Sequence, residues 1–436
     1  MTRYAAVRAR GRMILATSCT VAALTLWVVH HLITPYSPGL AALWTVSVLL
    51  LVWGLALALL ERPKTGDPGD LAAAVAVPVF NEDPAQLMAC LDSLLDQTRP
   101  PDAVHVVDDG STTGGYDEVR SRFLRAATAR GVSASWTRTP NNGKRHAQAV
   151  AFRAAPDADV YLTVDSDTIL DSHAVAEGLA PFASPQVMSV AGVCLIENNR
   201  RSPVSRIYDL WYTSFQMVDR SGQSVMGSVM VNCGVLAFYR AAIVRDHLDG
   251  YLNETFFGRP VAFSDDSMLT LYALLQGRTV QQPTCVGFTL APDRLSHQMR
   301  QYLRWARGST IRTWWRLRYL PLGSYAYWAH LFRTAHFPLS TVMAFFLLFV
   351  HPMLNRSMIP DIVVITVLLS YLQNLRYLTY RRSDQRLASQ LLTYALSPLT
   401  SLWIALFLRP VRWYAAATCL RTGWGTRAAG VEVTPS

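Results

Sequence analysis

Two stretches near the start of the chain, residues 13–34 and 40–60, contain no Asp, Glu, Lys or Arg. Each approaches the roughly 20 apolar residues a helix needs to cross a hydrocarbon core, where backbone amides must bond to one another because no water is present. A cleaved leader accounts for the first stretch but not for the second. Further uncharged stretches lie between Arg333 and Arg356 and between Arg386 and Arg409, with an apolar segment containing Asp361 between them. With 51% hydrophobic and 16% charged residues over 436 positions, the chain reads as a multi-pass membrane protein carrying one large polar domain.

Charge sets the orientation. The net charge is +10, and from Arg294 onward seventeen arginines stand against Asp361, Asp384 and Glu432. Because these arginines alternate with apolar spans, they point to membrane lipids as partners and not to nucleic acid. Arg3, Arg8, Arg10 and Arg12 put the N-terminus on the cytosolic side by the same rule. Three spans after Arg333 would leave Arg412, Arg421 and Arg427 on the far side, but Pro398 and Pro410 allow a broken last segment that returns the tail. The six cysteines show neither CxxC nor metal spacing and read as reduced, packed side chains.

Between the spans, Glu61–Asp70 is rich in Pro, Gly and charge and reads as a linker. After it, apolar runs of strand length at Ala72–Val79, Ala103–Val107 and Val160–Val164 alternate with helix-like stretches at about 83–97, 116–130 and 143–155. That order predicts an α/β domain built of βαβ units around a mostly parallel sheet, whose ligands bind beyond the carboxyl ends of the strands. The expected division is two membrane helices over 1–62, the α/β domain over 63–293, interfacial helices over 294–333, membrane helices over 334–420 and a cytosolic tail over 421–436.

The acidic residues cluster at those strand ends. Asn81-Glu82 and Asp108-Asp109 each follow a strand, and two such turns about 30 residues apart fit the lips of a nucleotide pocket, where carboxylates accept from base N–H or ribose hydroxyls. Taken singly, an Asp before Gly-Ser also fits a plain helix cap. Asn142-Gly143-Lys144-Arg145 opens a helix with two cations and suits a phosphate, although a solvated basic turn fits as well. Asp165-Ser166-Asp167 ends the strand Val160–Val164, and two carboxylates so placed can hold a hard divalent cation, with Asp167 the direct ligand. Asp265-Asp266 supplies a further pair: Asp266 fits a base that takes a proton from an attacking hydroxyl, its affinity raised by the neighbouring charge, and Asp265 fits a helix N-cap. In Gln301-Tyr302-Leu303-Arg304-Trp305, Arg304 can face a pyrophosphate and Trp305 offers a flat surface to a sugar ring.

With these residues in place, the chain resembles the membrane-integrated family 2 glycosyltransferases, above all bacterial hyaluronan synthases, from about Ala74 to Arg427. The stretches that carry the resemblance are Asn142–Gln148, Ala158–Thr168, Asn253–Gly258 and Trp424–Arg427; Arg304-Trp305-Ala306-Arg307 is also similar to nodulation chitooligosaccharide synthases. The resemblance implies a cytosolic GT-A (Rossmann-like) domain at the cell membrane, UDP-sugar donors, Mg²⁺ or Mn²⁺, a growing polysaccharide acceptor and export of the polymer through the enzyme's own helices. It maps the uracil contact to Asp108 or Asp109, the phosphate contacts to Lys144 and Arg145, the metal to Asp167 and the base to Asp266. The chain departs from the family's pattern at Ser264 and Ser267, which flank the Asp pair, at Tyr302, and at Asn232-Cys233-Gly234-Val235.

Overall fold

The computed structural model describes residues 3–4, 8–33, 38–112, 114–354 and 359–423, so the expected Trp424–Arg427 motif and most of the tail lie outside the described residues. The polar domain is built on an eight-stranded sheet. From one edge the strands run Ser133–Arg138, Ala103–Asp108, Ala73–Val79, Val160–Val164, Leu236–Arg240, Val187–Ile196, Arg278–Thr289 and Ile169–Leu170.

The first four strands are parallel neighbours, in register from Ala74 opposite Ala103 to Val79 opposite Asp108. Every residue of Ala73–Val79 is buried, as expected of a central parallel strand covered on both faces. The other half of the sheet is mixed: Leu236–Arg240 runs antiparallel to both of its neighbours, and Arg278–Thr289 is parallel to Val187–Ile196. The expectation of a mostly parallel sheet therefore holds for one half only. Helices start where the residues allow it. Asp83 accepts from the amides of Ala85 and Gln86 at 2.9 and 3.0 Å, and Pro84, with no N–H to satisfy, occupies the first turn of Pro84–Leu95.

Among the described residues three helices are long and apolar enough to cross a bilayer, Ala41–Leu60, Tyr325–Val350 and Ile362–Thr379. A fourth is formed if Leu387–Ala395 and Ser397–Ala417, bent by 48° at their junction, make one span. The bend falls at the break that Pro398 led us to expect. In the helix Arg8–Ile33 the described apolar part is Ala16–Trp27, shorter than the span expected there. The stretch read as a linker is not free of the domain. Glu61 is buried, accepts from Ser221 Oγ at 2.5 Å and faces Arg376 at 3.6 Å. Lys64 Nζ donates to Ser224 Oγ and to the Gln281 carbonyl at 2.7 and 2.9 Å. These bonds, buried at Glu61 and partly buried at Lys64, clamp the end of the helix Pro38–Leu60 to the sheet domain.

Candidate active site

The strand order places Ala73–Val79 between Ala103–Asp108 and Val160–Val164, which is where connections leave the sheet in opposite directions and a crevice opens beyond the strand ends. A cavity of about 570 Å³ begins there and continues between the long apolar helices. Its lining includes Glu82, Asp165, Asp167, Asp265 and Asp266, Arg304 and Trp305 of the helix Leu295–Tyr319, and Arg333, Arg409 and Arg412 of the apolar helices, with Arg220, Arg312 and Arg316 also on its wall.

One side chain joins the two acidic clusters. Lys144 Nζ lies 2.6 Å from Asp165 Oδ1 and 3.2 Å from Asp265 Oδ2. Burial alone would lower the ammonium's proton affinity, but Asp165, Asp265 and Asp266 outweigh it and hold Lys144 charged. The same contact acts on the acids. Burial would raise Asp265, yet Lys144 and Arg145 keep it below the usual carboxylate range. Asp266 sits behind that charge: burial, then the neighbouring Asp265 and then Cys233 push it up to about 7. A carboxylate with that proton affinity is suited to accept a proton near neutral pH. The backbone turns closely around it, since a Cβ added at Gly234 would lie 3.4 Å from Lys144 Nζ and 3.7 Å from Asp266 Oδ2.

Asp167 lines the cavity beside this pair. Its Oδ1 accepts from the hydroxyls of Thr168 and Thr289 at 3.4 and 3.3 Å, both long for an O–H···O bond. Among the described residues no three His, Cys, Asp or Glu side chains converge as a cage for a metal ion. One or two carboxylates opening on a polar cavity do fit a hard divalent ion that takes its remaining oxygens from a diphosphate and water. Asp167, with Asp165 beside it, would be the protein's contribution. Glu82 is tied to this turn by Ser166 Oγ at 3.0 Å.

Trp305 is a platform on the cavity wall. Its ring stacks on Tyr212 at 6.0 Å between centroids and tilts against Tyr208 at 6.5 Å, and the Tyr208 hydroxyl donates to Gln301 Oε1 at 3.1 Å. Gln301 and Tyr302 also line the cavity, and Tyr302 meets Trp211 edge-on at 5.7 Å.

Four of the residues expected to contact a donor are not part of this lining. Asn81, Asp108, Asp109 and Arg145 do not line the cavity. Asn81 Oδ1 accepts from Thr112 N at 2.7 Å, and Asp108 Oδ1 accepts from Ser111 N at 2.8 Å, so both brace the turns after their strands. Asp109 receives the amides of Asn142 and Gly143, each at 2.9 Å, and so fixes the loop that aims Lys144. Arg145 points the other way. It is buried, pairs with Glu254 at 2.7 Å and donates to the carbonyls of Tyr251 and Phe263. Consecutive helical residues project about 100° apart, which is why one cation of the pair reaches the cavity and the other supports the wall behind it. Asp265 is not the cap of its helix: the helix is Asp265–Gln276, and Ser264 precedes it at φ 65°. Gly308 makes room for that serine, since a Cβ there would come within 2.6 Å of Ser264 Oγ.

Glu254 lies in the Asn253–Gly258 stretch that carries the resemblance, without a role assigned there; residues the sequence did not single out for the site are Arg312, Tyr208, Tyr212, Arg333, Arg409 and Arg412. Buried Glu254 receives Arg145, Arg312 and Trp315 Nε1, tying the helix of Lys144 to the helix Leu295–Tyr319 that carries Trp305. Arg312, eight residues beyond Arg304 in a helix already read as basic, was the available signal.

The model of the family described as "Glycosyltransferase like family 2" matches residues 68–308. A hyaluronan synthase of Streptococcus pyogenes is 32% identical over 387 residues, covering 88% of this chain and 89% of its own. An N-acetylglucosaminyltransferase of Azorhizobium caulinodans is 39% identical over 241 residues, 55% of this chain and 59% of its own. Among solved structures, a mannosyltransferase from Pyrobaculum calidifontis in complex with GDP-Man and Mn²⁺ aligns with a TM-score of 0.54 at 18% identity, covering 94% of this chain and 99% of that one. That likeness extends to the fold, a GT-A-like domain with accompanying helices.

Proposed function

The chain belongs to glycosyltransferase family 2 and is a glycosyltransferase, and from that premise we propose that it polymerises UDP-sugars into a hyaluronan-like, uronate-containing polysaccharide and exports the product through its own helices. The observation that carries this reading is the one cavity whose lining holds Asp165, Asp167 and Asp266 from the sheet domain together with Trp305 and with Arg333, Arg409 and Arg412 from the apolar helices. The acids suit a donor diphosphate with its divalent ion, and the arginines suit a product bearing carboxylates. In this reading the α/β domain is cytosolic and the helices lie in the cell membrane.

Asp266 takes the proton of the acceptor hydroxyl as that oxygen attacks the anomeric carbon. The new C–O bond forms as the bond to the UDP oxygen breaks, with inversion, and the proton passes from Asp266 to solvent. Lys144 keeps Asp265 ionised, and the charge of Asp265, added to burial, raises the proton affinity of Asp266 although Lys144 itself acts to lower it. Arg304 faces the charge building on the departing diphosphate, and Trp305 carries the acceptor sugar on its ring. A Mg²⁺ or Mn²⁺ held by Asp167 would neutralise the leaving group.

A polymer of one neutral sugar is the second reading, favoured by the 39% identity to the N-acetylglucosaminyltransferase over the catalytic region. Purified enzyme given UDP-GlcNAc alone, UDP-GlcA alone and both together separates the two. Polymer only with both donors, degraded by a hyaluronan-specific lyase, is the expected result; polymer from UDP-GlcNAc alone rejects the first reading in favour of the second.

A further inference from the structure

The strands Thr255–Phe256 and Arg259–Pro260 pair antiparallel and leave two residues, Phe257 and Gly258, in the turn, at φ 48° and 74°. A two-residue hairpin with both central residues at positive φ favours Asn-Gly, because Asn tolerates the left-handed region and Gly has no side chain to clash. Here a phenylalanine holds the first position, and it is 72% exposed. Both features are unfavourable in a water-facing turn. The base of the hairpin is rigid: Phe256 is buried edge-on to Trp315 at 5.8 Å, and Val261 N donates to the Glu254 carbonyl at 3.0 Å.

The ring is not isolated. It meets Trp314 edge-on at 6.4 Å. Trp314, Tyr319 and Leu322 are themselves exposed and lead directly to Trp328 and Phe332, exposed on the helix Tyr325–Val350 that is long and apolar enough to span a bilayer. Arg259, Arg318 and Arg421 are exposed alongside. An aromatic strip flanked by arginine and continuous with a spanning helix has the composition of a membrane interface with anionic headgroups.

We propose that Phe257 is a wedge by which the catalytic domain itself enters the headgroup layer of the bilayer, beside Trp314. The proposal rests on the membrane placement given above. Through Glu254, at the foot of the same hairpin, the inserted tip is tied to Arg145 and Arg312, and so to the helices that position Lys144 and Trp305.

The test uses the full-length enzyme in nanodiscs containing phosphatidylglycerol, with Cys19→Ser and Cys419→Ser to remove the cysteines that are not buried. A nitroxide is attached at Phe257→Cys, and its collisions with oxygen and with a water-soluble nickel chelate are compared with labels at exposed Asp157 and at exposed Phe345 on the spanning helix. The expected result is nickel access at least about threefold lower at 257 than at 157, with oxygen access raised towards that at 345. Nickel access equal to that at 157 overturns the proposal, as does low access to both reagents, which would mean that protein covers the ring. If 345 also admits nickel, the membrane placement itself fails, and the two failures are thereby distinguished. A second variant, Phe257→Asn, supplies the residue the turn prefers and is expected to melt no lower than the parent in detergent. A clear fall in melting temperature would make Phe257 a structural residue and reject the wedge.

Discussion

Two parts of the cavity lining differ in how they handle charge. Where the sheet domain lines the cavity the carboxylates are paired: Asp165 and Asp265 share Lys144, and Asp266, next to them, is left with a raised proton affinity. Where the apolar helices line the cavity the side chains are cations, of which Arg333 pairs with Asp219 at 3.1 Å. Arg409 donates to the hydroxyls of Ser340 and Thr341 at 3.1 and 2.9 Å, and Arg412 stacks over Phe337 at 4.2 Å, so these arginines are steadied by neutral partners and keep their charge for the cavity. Under the proposed function, the acidic part of the lining would move a proton and hold a diphosphate, and the basic part would meet an anionic product.

The strongest way to break this contrast is at the base. Asp266→Asn is expected to lower the rate of UDP release by ~10²–10⁴-fold while UDP still binds, measured by coupled assay and calorimetry. Near-normal turnover would remove Asp266 from the mechanism. Lys144→Met leaves two carboxylates without their shared cation, a loss expected to cost ~3–5 kcal/mol of stability on the scale of broken buried pairs, seen as a lowered melting temperature together with weak activity. The basic part is sharpened by Arg409→Glu with Arg412→Glu: product length, read by size-exclusion chromatography, is expected to fall about tenfold while transfer to the first acceptor persists, on the scale of a few close charge contacts. Unchanged length would mean that the arginines do not meet the product.

The smallest effect is in pH. The base must be ionised to act, so the rate should rise through about pH 7 and level above it. The sign for stability is opposite. With its pKa raised above the ordinary 3.8, Asp266 binds its proton more tightly in the folded chain, so its stabilising contribution is lost as pH rises from about 4 to about 7. Asp266→Asn should therefore melt above the parent at pH 8 and level with it at pH 4, measured in the same detergent.

Much of this was legible in the chain. Strand runs of Val and Ala ending in acids gave the parallel half of the sheet, and Asp165, Asp167 and Asp266 do line one cavity. The mixed half was hidden because Leu236–Arg240 has the same apolar pattern whichever way its neighbours run; direction is decided by contacts far away in sequence. For the same reason Arg145 could not be told from Lys144. Both open the same helix, and partners far away in sequence, Glu254 and the Tyr251 and Phe263 carbonyls for Arg145 and Asp265 for Lys144, go with which one reaches the cavity. Asp108 and Asp109 also brace turns, and the amides of Ser111, Asn142 and Gly143 that bond them leave no mark on the pattern, because turn-bracing and nucleotide-binding carboxylates occupy the same place after a strand.

The bond from Lys144 to both acidic clusters has an evolutionary consequence. Because each cluster leans on the same ammonium, neither can be remodelled alone. A lineage that changes its donor must keep this lysine or replace both sets of acids in concert, because losing the ammonium leaves two carboxylates uncompensated at once.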